Sequence, residues 1–98
     1  MRCYVSADAS RDLDAIGDYF VERSVEAGER LLQEFVKKCE RLIQFPKMGR
    51  SYEQVKAGLR GIPLDGYIIF YKIVEDGIEV LRVLNGRQDL EAIFEDEE

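Results

Sequence analysis

The stretch that decides the fold runs Gly66-Tyr67-Ile68-Ile69-Phe70-Tyr71-Lys72-Ile73, then Glu75-Asp76-Gly77, then Ile78-Glu79-Val80-Leu81-Arg82-Val83-Leu84-Asn85-Gly86-Arg87. Two apolar runs joined by a short Asp-Gly turn predict a β-hairpin, with glycine supplying the positive φ of the turn. Tyr67, Ile69, Tyr71 and Ile73 share one face of the first strand, and Ile68, Phe70, Lys72 and Val74 share the other. Both faces are largely apolar, so the strand is expected to be central and covered on both sides. One cover is a helical layer from the N-terminal half. The other is either the chain's own C-terminal segment, where Leu90, Ile93 and Phe94 recur at helical spacing, or a partner protein.

Working outward, Leu59-Arg60-Gly61-Ile62 closes a strand placed near Val55 to Ile62. Gly61, Pro63, Asp65 and Gly66 then punctuate the chain before the hairpin. Met48 to Glu53 reads as a polar loop. Arg2 to Ser6 reads as a short strand, after which Ser6 or Asp8 caps a helix with Ala9, Leu13, Ile16 and Phe20 on one face. Ser24 is a natural break and the cap of a second helix. Its stripe of Gly28, Leu31, Leu32, Phe35, Cys39, Leu42 and Ile43 is expected to be buried, and Pro46 ends it. So short a link predicts an antiparallel helical hairpin. The fold class is therefore α+β: an N-terminal antiparallel helical hairpin packed on a small, mainly antiparallel sheet. Residues 1–98 form one domain, with the acidic end Glu95-Asp96-Glu97-Glu98 expected to fray.

Composition narrows the chemistry. The chain has no histidine and only two cysteines, Cys3 and Cys39. Ser-His-Asp and Cys-His arrangements and His-containing zinc sites are thereby excluded, and two cysteines cannot build a structural zinc site. No spacing of carboxylates suggests magnesium or calcium, so neither a metal nor a cofactor is expected. Cys39 lies on an apolar stripe and reads as a buried, inert thiol. A Cys3–Cys39 disulfide is open in principle but disfavoured in a reducing cytosol. The formal net charge of −6 argues against nonspecific affinity for the phosphate backbone, without removing the possibility of a local basic site. No apolar run approaches the roughly 20 residues of a membrane-spanning helix, and the first six residues turn polar too quickly for a secretory signal. The chain reads as cytoplasmic, with no membrane partner.

In order and spacing, several short pieces resemble the toxins of the ParE/RelE superfamily of type II toxin–antitoxin, or plasmid stabilisation, systems. They are the strand ending in Ser6; Ala9, Asp12-Leu13, Ile16 and Tyr19; Phe45-Pro46 with Gly49-Arg50; Leu59-Arg60; Gly66-Tyr67-Ile68-Ile69-Phe70-Tyr71; and Val83-Leu84-Asn85-Gly86-Arg87-Gln88-Asp89. The resemblance implies two helices on an antiparallel sheet and a cognate antitoxin that wraps over the toxin, giving a hetero-oligomer. RelE-like members cut messenger RNA on the ribosome, and ParE-like members poison DNA gyrase.

The two activities make opposite demands. Cleaving RNA without histidine requires cations to stabilise charge at the phosphate and a group that moves protons. RelE-like toxins place an arginine after the tyrosine of the Gly-Tyr pair, where this chain has Ile68. They carry Lys-Arg after the glycine of the last strand, where this chain has Arg87-Gln88. Their C-terminal tyrosine aligns with Phe94, and the lysines of their second strand are reduced to Lys56. Gyrase poisoning requires only an interaction surface. The ParE-like branch is favoured, with DNA gyrase as the expected target and no catalytic residue. A RelE-like ribonuclease and a non-toxic antitoxin-binding module are the alternatives.

Four residues are the candidates for contact with target or antitoxin: Arg60 at a strand end, Tyr71 on the central strand, Arg82 on the last strand and Arg87 in the Gly86-Arg87 turn. Each has a structural alternative. The alternation that puts Arg82 beside Ile78, Val80 and Leu84 makes its charge costly unless it is paired with a carboxylate or lies at a rim. Tyr67 and Tyr71 fit a core role with a satisfied hydroxyl.

Overall fold

The computed structural model describes residues 2–95. The expected acidic tail lies outside them from residue 96 onward. In chain order the elements are β1 (Arg2–Val5), α1 (Ala7–Arg23), α2 (Val25–Gln44), a 3-10 turn (Pro46–Met48), β2 (Arg50–Ser51), β3 (Arg60–Leu64), β4 (Tyr67–Val74), β5 (Gly77–Asn85) and α3 (Leu90–Glu95).

The helical half follows its caps. The Ser6 hydroxyl accepts from the Ala9 amide at 3.0 Å and donates to the Leu81 carbonyl at 2.9 Å, so it starts α1 and ties it to the sheet. Ser24 ends α1, where its amide donates to the Phe20 carbonyl, and caps α2 by accepting from Ala27 at 3.2 Å. One residue thus makes the helical hairpin. Leu31, Phe35, Cys39 and Leu42 on α2 and Ala9 and Ile16 on α1 are buried. Leu32, expected on the same stripe, is 46% exposed. It stands one position round the helix from Leu31, about 100° away, so only one of the two can face the sheet.

The sheet order is β1-β5-β4-β3-β2, antiparallel except for β1, which runs parallel to β5. The central strand is β4, as its two apolar faces imply. Ile69 and Tyr71 pack into the core beneath the helices, while Phe70 packs with Leu59, Leu84 and Phe94 on the other face. That second face is closed by the chain itself: α3 seats Phe94 against Phe70 with ring centroids 5.3 Å apart.

Three local expectations are corrected. The strand placed near Val55 to Ile62 begins at Arg60 and runs through Pro63 to Leu64, while residues 53–58 form turns. Proline is tolerated because β2 pairs only with Arg60 and Gly61, leaving Pro63 on an edge. The supposed polar loop, Met48 to Glu53, starts on the last residue of the 3-10 turn and contains β2. On β5 the alternation changes phase: Phe70 pairs with Arg82 but Tyr71 with Val80, so Leu81 is an extra residue opposite β4. Ile78, Val80 and Val83 therefore line the helix-facing core, and Leu84 joins Phe70 and Phe94 on the opposite side.

Two turns show how glycine is used. Asp65 (φ 44°) and Gly66 (φ 87°) make the two-residue link from β3 to β4, with the paired positive φ values that suit a tight hairpin. Gly77 carries a second constraint. Its φ is positive, at 159°, and a side chain is further excluded by the Arg2 carbonyl oxygen, 1.8 Å from where a Cβ would sit. The turn glycine thus has the expected positive φ and is also a site of close approach between β1 and β5.

Candidate interaction site

The helix-to-sheet connection is pinned by one phenol. The fully buried Tyr71 donates its hydroxyl proton to the Pro46 carbonyl at 2.6 Å and accepts from the Gly49 amide at 3.0 Å. Burial pushes its pKa above the ordinary tyrosine value, against opposing contributions from the Gly49 hydrogen bond and the Arg60 charge. Arg60, opposite Tyr71 in the β3–β4 register, donates to the carbonyls of Gly49 (2.8 Å) and Lys47 (3.2 Å). Together the two side chains fix residues 46–49 against the sheet.

This anchoring displays an apolar surface. Phe45 (59% exposed), Met48 (44%) and Ile73 (40%) project around a cleft of about 660 Å³ that is also lined by Pro46, Arg41, Gln44 and Lys47. A second hollow, over the outer face of α2, is lined by Leu32, Gln33, Val36, Lys37 and Glu40, with Val36 55% exposed. Large exposed apolar side chains gathered in clefts are the usual mark of a binding surface. The rim of the first cleft is cationic, carrying Arg41 and Lys47, although the chain as a whole is acidic.

Of the four residues singled out in the sequence, Arg60 and Tyr71 come together beside this cleft. Arg82 is engaged within the chain: its Nε and Nη2 donate to the Asp12 carboxylate at 2.8 and 3.0 Å, and the same carboxylate accepts from the Val83 amide at 2.9 Å. This bidentate pair joins α1 to the irregular segment of β5. Arg87 is exposed in the turn after β5, beyond the Tyr67–Asn85 pair at the opposite end of β4 from Ile73. The four do not form one constellation.

Sequence reading missed Phe45, Met48, Leu32 and Val36 as surface residues. The available signal was that Leu32 and Val36 lie four apart and one position beyond Leu31 and Phe35, a second apolar stripe beside the buried one. Among the described residues no three Cys, Asp or Glu side chains gather in a way that could hold a metal ion. No helix is long and apolar enough to cross a membrane among those residues.

Two helices on one face of this sheet and a short third helix on the other define a known fold. The structure superposes on a chain of the chromosomal ParDE toxin–antitoxin system of P. aeruginosa with a TM-score of 0.73, at 24% identity, covering 87% of this chain and 95% of that one. The family model for the ParE toxin of the type II toxin–antitoxin system parDE matches residues 4–90. Toxin ParE1 of Mycobacterium tuberculosis is 29% identical over 92 residues, 92% of this chain and 94% of the relative. Toxin ParE1 of Caulobacter vibrioides is 32% identical over 82 residues, 83% and 84% of the two chains. The chain belongs to the ParE family of type II toxins.

Proposed function

We propose that this toxin acts by inhibiting DNA gyrase and is neutralised by a cognate antitoxin that covers the apolar surface of α2 and the Phe45–Met48–Ile73 cleft. The observation that carries the antitoxin reading is this surface: large apolar side chains held outward by a buried anchor, beside a cationic rim. It fits an amphipathic partner segment with apolar anchors and acidic neighbours, laid along the helix and across the mouth of the cleft. Such a complex is a hetero-oligomer.

Family membership and the makeup of the second hydrophobic cluster both favour gyrase over messenger RNA. Ile68 and Phe94 stand where RelE-like toxins carry an arginine and a tyrosine. Phe94 is 2% exposed, and Ile68 packs against the same cluster. Neither can donate a proton or stabilise a phosphate. Gyrase poisoning needs no proton shuttle, only a surface that traps the partner enzyme on cut DNA.

The test is a supercoiling assay with the purified chain, scored for lost supercoiling and for linear, protein-linked DNA. Trapped cleavage complexes that disappear on adding antitoxin are the expected result. Unaffected gyrase at saturating protein rejects the target, and cleavage of ribosome-bound messenger would replace it with the ribonuclease reading.

A further inference from the structure

The two cysteines lie 36 positions apart in sequence yet point into the same layer. Cys3 is aligned with Ile78 in the parallel β1–β5 register, and Ile78 is fully buried on the helix-facing side. Cys39 is on the buried stripe of α2, 7% exposed, in the cluster against which Cys3 packs. Both side chains belong to one packed layer between β1 and α2, two elements that are in direct contact. Only Cys3 is partly open to solvent.

We propose that Cys3 and Cys39 form an oxidation site at which a hydroperoxide closes a disulfide between β1 and α2. The Cys3 thiolate attacks the peroxide oxygen; the O–O bond breaks, and the hydroxide that leaves takes a proton to become water. Cys3 is then a sulfenic acid. The Cys39 sulfur attacks it, the S–O bond breaks, and a second water departs with the Cys39 proton. Two thiols and one hydrogen peroxide thus give one disulfide and two waters, with sulfur oxidised and peroxide reduced.

The asymmetry of the pair suits this order. The hydrogen bond from Cys39 lowers the pKa of Cys3 against the opposing effect of burial, which favours the nucleophilic thiolate at the partly exposed position. Cys39 is held protonated first by its hydrogen bond to Cys3, then by burial and by the Cys3 charge. Conversion of Cys3 to a neutral sulfenic acid removes the charge contribution and frees Cys39 to react. The resulting bond ties the sheet's edge strand to the helix that carries the exposed apolar stripe, and it encloses all of α1.

The experiment treats the reduced full-length chain with stoichiometric hydrogen peroxide. It then reads intact mass, peptide map, oligomeric state and thermal midpoint with and without reductant. The expected product is monomeric, lighter by two hydrogens, with a Cys3–Cys39 linked peptide and a midpoint raised by roughly 10 °C or more. Reductant restores the original midpoint. Cys3→Ser, at a partly exposed position, should fold and abolish both the bond and the shift. Cys39→Ala should leave Cys3 as a sulfenic acid that dimedone traps. Dimers linked through Cys3, over-oxidised Cys3 beside a reduced Cys39, or an unchanged shift in Cys3→Ser would each overturn the proposal.

Discussion

Tyr71 and Gly49 are built around each other. The Gly49 amide donates to the Tyr71 hydroxyl at 3.0 Å, and a Cβ at position 49 would lie 2.5 Å from that oxygen and 2.7 Å from the ring. The phenol cannot retreat, because it is fully buried on the central strand and also holds the Pro46 carbonyl. Tyr71→Phe should therefore cost roughly 1–3 kcal/mol, the penalty for leaving buried backbone groups without partners. Gly49→Ala should cost at least about 1 kcal/mol by overpacking. The double variant should fall short of the sum, since removing the hydroxyl relieves part of the clash. Urea denaturation of the three proteins decides it; strict additivity would mean that the two positions are not coupled.

The same burial gives stability an alkaline limit. Tyr71 has its folded-state pKa raised above the ordinary tyrosine value, chiefly by desolvation. The unfolded chain therefore loses this proton first, and the contribution to stability is complete below about pH 10, the unfolded tyrosine pKa, and is lost as pH rises through the folded value. The midpoint of thermal unfolding should fall more steeply above about pH 10 in the wild-type chain than in Tyr71→Phe. Parallel curves for the two proteins would assign the alkaline loss to other groups.

Asp12 holds α1 to β5 where β5 changes phase. It accepts from Arg82 twice and from the Val83 amide once, and both side chains are mostly buried, 14% and 22% exposed. Asp12→Ala leaves a desolvated guanidinium and an irregular strand amide without this acceptor. A loss of about 2–4 kcal/mol is expected by equilibrium unfolding. Arg82→Lys should recover little of what Arg82→Ala loses, because an ammonium cannot span both carboxylate oxygens as the planar fork does. Full recovery by lysine would show that only charge matters here.

Much of this architecture is legible in the sequence because local and long-range signals agree. The Ser6 and Ser24 caps, the Leu31–Phe35–Leu42 stripe and the two-faced Tyr67–Val74 strand each point to the same fold. The bulge at Leu81 is not legible, since one extra residue leaves no mark on an apolar run that reads well in either phase. Pro63 hid the end of β3 because proline signals a break unless the strand is known to be an edge. The exposed surface was missed for a related reason. Leu32 and Val36 look like core residues until the width of the face that α1 and the sheet cover is known. In the sequence Arg60 reads as a candidate contact residue at a strand end, yet its role toward the Gly49 and Lys47 carbonyls depends on a turn more than ten residues upstream.

Gly77→Ala tests the edge of the sheet. The Cβ it adds would collide with the Arg2 backbone, so the substitution should detach β1 while β4 and β5 remain paired. The amides of Arg2 and Ser6, which donate to the Asp76 and Val80 carbonyls, should then exchange with solvent far faster, while those of β4 keep their protection. Uniform loss of protection would instead make β1 part of the cooperative core.

The exposed apolar surface yields a prediction that separates folding from recognition. Val36 is 55% exposed and Phe45 59% exposed, so a polar replacement at either should change stability by no more than about 0.5 kcal/mol. If the antitoxin covers this surface, Val36→Glu and Phe45→Asp remove apolar anchors and place a negative charge where an acidic partner segment is expected. Each should weaken the complex at least tenfold, roughly 1.4 kcal/mol, mainly through faster dissociation. Arg87→Ala, at the far end of β4, serves as the control and should leave affinity unchanged. Titration calorimetry with the cognate antitoxin reads all three. Undiminished affinity in both charged variants, with the Arg87 variant impaired instead, would move the antitoxin to the opposite end of the sheet.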